Sequence, residues 1–205
     1  MTTIKITDVD YESAVDVVHA LLHSKGTMVY PTDTVYGIGG DATSEEVVKK
    51  IHGIKGTGEK KPMSVMMADF GMIDYYCETG VWEDMILSRY LPGPYTFILK
   101  KNERRYLPAS EGDTLGVRIP DSPFCQALCE AFRKPIITTS ANITGDIAPI
   151  KLDDVDKKVL DAVDVVVDGG RTRYRSPSIV VDLVERRILR EGSNKEIEIV
   201  ELPER

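Results

Sequence analysis

The chain has 205 residues, of which 42% are hydrophobic and 29% charged, a composition that excludes collagen-like, coiled-coil and disordered classes. Its net charge of -7 excludes nucleic-acid binding by bulk charge, so such a role would require a local basic patch. Three cysteines favour a reducing compartment over a disulfide framework. There is no apolar run of about 18–20 residues and no signal-peptide pattern, so we expect a cytoplasmic protein without a membrane role.

Apolar periodicity predicts strands and helices that alternate along the chain. The predicted strands cover residues 4–6, 27–30, 62–67, 95–100, 114–119, 136–139, 163–167 and a closing hairpin over 179–189. The predicted helices cover 11–25, 45–52, 122–132 and 153–162. Asp10 and Ser44 are expected to cap the first two helices, and Gly53 to end the second. The pattern predicts an α/β protein with a mixed sheet in one domain over 1–205, in which 193–205 form an edge strand or a tail.

Polar clusters follow three of the apolar strands. They are Pro31–Thr34, Ser140–Asn142 and Gly169–Gly170. Ligands of α/β sheets bind at the carboxyl ends of strands, so the three clusters together predict a small-ligand crevice. The alternative for each cluster is turn chemistry, since turns require the same residue types.

Arg118 lies on an otherwise apolar strand, and burying a guanidinium is costly unless an anion pairs with it. Because arginine donates two parallel hydrogen bonds to a carboxylate, Arg118 is a candidate ligand-binding residue. The alternative is an internal ion pair with an aspartate. Arg190 has the same character on a less apolar stretch.

Two cationic segments are candidates for binding phosphates or RNA. The Gly-rich residues 53–61 carry Lys55, Lys60 and Lys61, but they follow a helix and do not match a phosphate-binding P-loop. The second segment contains the three arginines and one tyrosine of Arg171-Thr-Arg173-Tyr-Arg175, a mixture that suits RNA phosphates and a stacked base. A solvated surface loop is the alternative for both segments.

The sequence offers no set of residues for nucleophilic catalysis. It has three histidines and no assignable Ser-His-Asp arrangement, so no catalytic nucleophile and no protein metal ligand is predicted. Any chemistry would depend on positioning bound reactants and stabilising their charge.

Seven short motifs, in order, resemble the YrdC family in its short, single-domain form. They are PTDTVYG (31–37), LPGPYT (91–96), GVRIP (116–120), SANITG (140–145), DGG (168–170), SIVVDL (178–183) and ILREG (188–192). The resemblance covers about residues 10–192. It implies a twisted open α/β sheet with helices packed on it, around a concave, positively charged cavity.

The resemblance implies an ATP-dependent nucleotidyltransferase with Mg as cofactor. Such an enzyme makes L-threonylcarbamoyladenylate from L-threonine, bicarbonate and ATP and releases pyrophosphate. Other tRNA-modification proteins then use this product to form t6A at adenosine 37 of tRNA. By the matching motif positions, the residues that hold threonine would be Thr34, Arg118, Ser140 and Ser178. Those that face the nucleotide would be Lys55, Thr114, Asn142 and Arg190.

Three positions depart from the synthase pattern. Thr57 stands where synthases usually carry an arginine, Lys61 where they carry an asparagine, and Met66 where they carry a histidine. The altered segment and the YTFILK run (95–100) resemble the YciO-type branch. Two alternatives therefore stay open: a non-catalytic module that binds double-stranded RNA or tRNA through Lys60, Lys61 and the three arginines, or an enzyme acting on another amine.

Overall fold

Strands and helices interleave in the computed structural model, which describes residues 2–6, 10–56, 62–110, 112–192 and 202. The strands are β1 (Thr2–Lys5), β2 (Thr27–Tyr30), β3 (Gly37–Gly40), β4 (Val65–Met66), β5 (Cys77–Glu78), β6 (Tyr95–Lys101), β7 (Thr114–Arg118), β8 (Ile136–Ile137), β9 (Thr139–Ser140), β10 (Val165–Asp168), β11 (Ile179–Asp182) and β12 (Arg187–Arg190). The helices are α1 (Glu12–His23), α2 (Glu45–Lys55), α3 (Phe70–Tyr76), α4 (Val81–Tyr90), α5 (Pro123–Phe132) and α6 (Lys157–Ala162), with a 3₁₀ turn over Leu152–Asp154. Apart from Leu202, the predicted tail lies outside the described residues.

The strands form two sheets, both with parallel and antiparallel neighbours. The first has the order β1-β10-β2-β3-β9, and the second the order β12-β11-β6-β7-β4-β8, with β5 beside β6. The predicted α/β class and the mixed strand directions are confirmed. The predicted strand over 136–139 is divided, because β8 pairs with β4 in one sheet and β9 with β3 in the other. This stretch of chain therefore joins the two sheets.

The five-stranded sheet separates two apolar layers. Tyr30 of β2 and Val167 of β10 face the layer that α1 and α5 cover, whereas Val29 and Val166 face the larger core. The alternation follows from the two-residue period of a strand, which sends successive side chains to opposite faces. Because both faces are covered, β2 is buried throughout, and the three valines of β10 are buried as well.

Helix ends match the predicted caps at α2 but not at α1. The Ser44 side chain accepts a hydrogen bond from the backbone N–H of Val47, as expected of an N-cap. The expected ends at Asp10 and Gly53 are wrong: Tyr11 occupies the N-cap of α1, and α2 continues to Lys55. Gly56 ends α2 because its left-handed backbone, with φ of 62°, suits a residue without a Cβ.

The sequence analysis missed β3 and the region from α3 to α4. The glycines of β3 resemble turn residues, yet they are required by close packing. A Cβ on Gly39 would lie 2.8 Å from the Tyr30 ring, and one on Gly40 would lie 2.4 Å from Val47 Cγ1. Among the described residues, none of the helices is both long and apolar enough to cross a membrane.

Candidate active site

A cavity of about 340 Å³ lies where strand ends of both sheets meet. Its wall is formed by the loop after β2, the end of β7, the connection through β8 and β9, and the β11–β12 hairpin. The predicted site residues that line it are Thr34, Arg118, Ser140, Asn142, Ser178 and Arg190. The sequence spreads these six residues over more than 150 positions, and the crossing of the chain between the sheets brings them together.

Arg118 is buried at the end of β7 and forms an ion pair with a buried carboxylate. Its Nη2 lies 2.5 Å from Asp33 Oδ1, and the two side chains are 7% and 0% exposed. Its Nη1 donates to Thr34 Oγ1 at 3.1 Å. The internal ion pair and the ligand-facing position, which were alternatives in the sequence, therefore occur together in one side chain.

Part of the Arg118 guanidinium is not used by this pairing. Its Nε is buried and has no hydrogen-bond partner among the described residues. A buried donor without a partner is costly, so an acceptor on a bound molecule would remove that cost. Burial raises the pKa of the Asp33 carboxyl, while the Arg118 charge and the Asp121 N–H act in the opposite direction.

The loop that carries Asp33 and Thr34 is held in place by its own hydroxyls and by the loop after β10. Thr32 Oγ1 donates to Val35 O at 2.7 Å and lies 2.9 Å from Thr34 Oγ1. Thr172 Oγ1 donates to Thr34 O at 2.8 Å. The turn chemistry is therefore present, and it holds the Thr34 hydroxyl at the cavity wall.

Arg190 lines the cavity from the edge strand β12 without an acidic partner. It donates to Ser178, from Nε to the carbonyl at 2.9 Å and from Nη2 to Oγ at 3.1 Å. No carboxylate among the described residues forms an ion pair with it. Burial and the nearby Arg118 charge lower the Arg190 pKa. The Arg190 guanidinium therefore brings positive charge into the cavity that the described residues do not neutralise.

Lys55 and Asn142 belong to one hydrogen-bond network. Lys55 Nζ donates to the carbonyls of Ser140 at 2.6 Å and Asn142 at 3.0 Å. Ser140 Oγ donates to Asn142 Oδ1, and Asn142 Nδ2 donates to Asp146 O at 2.6 Å. Lys55 is not among the described residues that line the cavity, so its visible role is to hold the loop of Ser140 and Asn142 against α2.

Five other positions that the sequence singled out do not line the cavity among the described residues or lie outside those residues. Thr114 begins β7, four residues from Arg118 or about 13 Å along an extended strand, and does not line the cavity among the described residues. Met66 is fully buried beside the Tyr30 hydroxyl. Thr57, Lys60 and Lys61 lie outside the described residues.

The three arginines of the basic segment after β10 are exposed, and the middle one is paired. Arg173 forms an ion pair with Asp121 at 2.5 Å and lies over the Tyr174 ring. Arg171 and Arg173 also line a second cavity, of about 550 Å³, on the other side of the Pro31–Asp33 loop. No ion pair is present at Arg171 or Arg175 among the described residues.

Sequence reasoning did not single out two polar residues of the site. Asp33 lies inside a recognised motif, yet its pairing with Arg118 spans 85 residues and leaves no local signal. Thr96 lies on the buried strand β6, and its hydroxyl is 2.8 Å from Ser178 Oγ. A polar residue on an apolar strand is the same signal that identified Arg118, and it could have identified Thr96.

The described residues contain neither an activated thiol nor a protein-only metal cluster. The three cysteines are buried, and burial raises the pKa of Cys77 and of Cys125 to about 12. No group of three or more His, Cys, Asp or Glu side chains is arranged to hold a metal in the part of the chain that the structure describes.

This geometry defines an α/β protein with a polar, arginine-containing crevice where strands of both sheets end. The crevice combines the carboxyl ends of β7, β9 and β12 with the amino ends of β6 and β11, so the expected position at carboxyl ends is only partly right. Comparison with known proteins identifies the family. The Sua5/YciO/YrdC family model, described as telomere recombination, matches residues 20–192. The chain therefore belongs to the Sua5/YciO/YrdC family.

Two archaeal relatives have the name threonylcarbamoyl-AMP synthase, the first of them provisionally. A Methanocaldococcus jannaschii protein is 38% identical over 164 residues, which are 78% of this chain and 77% of that protein. A Pyrococcus abyssi protein is 34% identical over 160 residues, or 77% of this chain. The matched region spans only 47% of the P. abyssi relative. At the family level, the chain is thus related to transferases of tRNA modification.

Solved structures of a Sua5 protein and of a YciO protein are both similar to this chain. P. abyssi Sua5 in complex with L-threonine has a TM-score of 0.85 at 29% identity, covering 94% of this chain and 58% of that one. Escherichia coli YciO has a TM-score of 0.85 at 25% identity, covering 95% of this chain and 98% of YciO. The predicted α/β fold and the YrdC resemblance are both confirmed.

Proposed function

We propose that the protein synthesises L-threonylcarbamoyladenylate from L-threonine, bicarbonate and ATP, as a nucleotidyltransferase that releases pyrophosphate and supplies t6A modification of tRNA. The observation that carries the proposal is the convergence of six motif residues on one cavity. That cavity holds two guanidinium groups, those of Arg118 and Arg190. Of these two arginines, only Arg118 has a carboxylate partner among the described residues. Such a cavity suits ligands that carry several negative charges.

The amino-acid half of the reaction would use the buried side of the cavity. The threonine carboxylate accepts hydrogen bonds from Arg118, whose Nε is available, and the hydroxyls of Thr34, Ser140 and Ser178 orient the rest of threonine. Bicarbonate takes up a proton and loses water to give CO₂. The threonine amine then adds to CO₂ and releases a proton, so the two proton transfers balance. The product of this step is a carbamate, held by hydrogen bonds and not by a covalent bond to the protein.

The nucleotide half would use the mouth of the cavity. A carbamate oxygen attacks the α-phosphorus of ATP, a new P–O bond forms, and the bond to pyrophosphate breaks. Arg190 and Asn142 contact the phosphates, and Lys55 acts by holding the loop of Asn142. Positioning and charge stabilisation supply the catalysis, so no thiolate or activated serine is needed.

ATP is expected to bind as its Mg²⁺ complex, in which the metal neutralises phosphate charge. The cavity wall fits such a complex, because it presents hydroxyl, amide and carboxylate oxygens from Ser140, Asn142 and Asp146. Oxygen atoms of these kinds are the ligands that Mg²⁺ prefers.

The departures from the synthase pattern do not remove the residues used here. Met66 packs against Tyr30 in the apolar layer, so a histidine is replaced by a core side chain. Arg190 still provides a cation near the nucleotide, and Lys55 still holds the loop of Asn142. The proposal therefore expects synthase activity despite Thr57, Lys61 and Met66.

The test is an assay with ATP labelled at the α-phosphate, in which threonine or bicarbonate is omitted in turn. We expect a labelled adenylate and pyrophosphate only when both are present. An adenylate formed without threonine would mean that the enzyme uses a different amine or no amine. An absence of ATP binding would refute the proposal that the protein is an enzyme of this kind.

A variant of the cavity wall tests the same proposal. Arg190→Ala should weaken turnover. Arg187→Ala is the matched control, because Arg187 is an exposed arginine on the same strand outside the cavity wall.

A second candidate is direct binding of structured RNA or tRNA. The observation in its favour is that Arg171 and Arg175 are exposed and have no ion pair among the described residues. If RNA binds there, replacing both by alanine should weaken binding and reduce its dependence on salt. The folded fraction of Arg118→Ala should keep that binding, because Arg118 is buried and does not belong to the exposed basic segment.

A further inference from the structure

Asp146 is the only carboxylate among the described residues that line the cavity. It is exposed, and its carboxylate has no hydrogen-bond or ion-pair partner in the described part of the chain. Its backbone is fixed, since Asn142 Nδ2 donates to its carbonyl at 2.6 Å and its own N–H donates to Ile143 O at 3.1 Å. Asp146 therefore combines an anchored backbone with a free carboxylate at the wall of the cavity.

A lone carboxylate is unfavourable in a cavity that binds an anion. Two like charges a few ångströms apart repel each other even where water screens them, although less strongly than in the interior of a protein. The Asp146 carboxylate would repel the phosphates of a nucleotide held by Asn142 and Arg190, unless a cation lay between them. The Arg118 charge cannot serve, because Asp33 already pairs with it.

We propose that Asp146 is the protein ligand of the divalent cation that accompanies the nucleotide, an inference that rests on the proposed function. Mg²⁺ is commonly held by one or two carboxylates together with substrate phosphates, and it keeps several waters. One carboxylate is what this cavity presents, which agrees with the absence of a protein-only metal cluster among the described residues. The nucleotide and the metal would thus complete one site together.

Asp146 also lies just outside the motif that resembles the family, since SANITG ends at residue 145. Asp146 lies four residues after Asn142 and is tied to it by a hydrogen bond, so a metal ligand at this position links metal binding to the nucleotide loop. The Lys55 hydrogen bonds to the carbonyls of Ser140 and Asn142 hold that loop, and so hold Asp146 indirectly.

The test compares ATP affinity with and without Mg²⁺ by calorimetry in the wild type and Asp146→Asn. Without the metal, we expect Asp146→Asn to bind ATP more tightly than the wild type, because the repulsion is gone. With Mg²⁺, we expect it to bind more weakly, so that the gain from the metal falls by about 10-fold, the size of one screened charge–charge interaction. Such a reversal of sign is not expected from a purely structural role.

Two further variants make the result specific. Asp153→Asn removes an exposed carboxylate that pairs with Lys151 outside the cavity wall and should behave as the wild type. Asp146→Glu keeps the carboxylate and should retain a response to Mg²⁺. As a direct readout, electron paramagnetic resonance of Mn²⁺ with ATP should report bound metal in the wild type and less in Asp146→Asn.

The outcomes separate this inference from the proposed function. If the wild type binds ATP and Asp146→Asn keeps the full gain from Mg²⁺, the assignment of Asp146 is wrong and the synthase proposal stands. If the wild type binds no ATP under either condition, both are wrong.

Discussion

Two arginines close to the same cavity are held in contrasting ways. Arg118 ends an internal strand, is buried, and has its charge neutralised by Asp33. Arg190 lies on the edge strand β12 and is exposed, and its side chain hydrogen-bonds only to the hydroxyl and the carbonyl of Ser178 among the described residues. We therefore expect the free energy of unfolding to depend far more on the Arg118–Asp33 ion pair than on the hydrogen bonds of Arg190 to Ser178.

The difference indicates which arginine can change its charge environment when a ligand binds. The Arg118–Asp33 pair is neutral as a unit, so it offers geometry and a free Nε donor. Arg190 contributes a positive charge that an anion could neutralise. We therefore expect losses of stability at Arg118 and Asp33, and losses of anion affinity at Arg190.

The largest effect is expected from Asp33→Ala. Removing one partner of a buried ion pair leaves the other charge buried without compensation, which costs about 3–5 kcal/mol. The free energy of unfolding, measured with urea, should fall by that amount. A loss below about 1 kcal/mol, the size expected of an exposed pair, would mean that Arg118 finds another anion or reaches water. The fold would then not depend on the Arg118–Asp33 pair more than on Arg190.

The pair can be tested again by removing both charges. Asp33→Ala combined with Arg118→Met should be more stable than Asp33→Ala alone, because an apolar side chain replaces the unpaired cation. The double-mutant cycle should give a coupling energy of about 0.5–3 kcal/mol. Additive losses would instead show that the two residues contribute separately.

A smaller effect on the fold and a clear one on binding are expected from Arg190→Ala. Hydrogen bonds of a charged donor contribute about 1.5–3 kcal/mol, so ATP affinity should fall by about 10–100-fold. The free energy of unfolding should change by only about 1 kcal/mol, since the Ser178 hydroxyl keeps its contact with Thr96. Calorimetry measures the first quantity and urea unfolding the second, with Arg187→Ala as control.

These contrasts were only partly visible in the sequence. Arg118 could be predicted because a charged residue on an apolar strand needs an anion, but the identity of that anion depends on a contact across 85 positions. The two-residue period of residues 136–139 predicts a strand, and it carries no information about which sheet each half joins. Glycine-rich β3 escaped prediction because only tertiary packing explains its glycines.

Contacts between distant parts of the chain also limit how much of the site the sequence predicts. Six of the eight residues carried over from the family motifs line one cavity, because each lies at a strand end or in a loop within four residues of one. Lys55 and Thr114 do not, among the described residues. The direction of the Lys55 side chain depends on two carbonyls more than 80 positions away, and Thr114 lies at the opposite end of the strand from Arg118.

The smallest effect is expected from Arg173→Ala, which extends the comparison to an ion pair at the surface. Arg173 pairs with Asp121 as Arg118 pairs with Asp33, but its side chain is 64% exposed and that of Asp121 is 43% exposed. Exposed pairs contribute about 0–1 kcal/mol, because water screens the charges and the side chains lose conformational freedom. Urea unfolding of Arg173→Ala should therefore differ from the wild type by less than 1 kcal/mol, and raising the salt concentration should reduce that difference further. A loss close to that of Asp33→Ala would mean that the loop after β10, whose Thr172 and Tyr174 contact the Asp33–Thr34 loop, transmits the surface pair to the buried one.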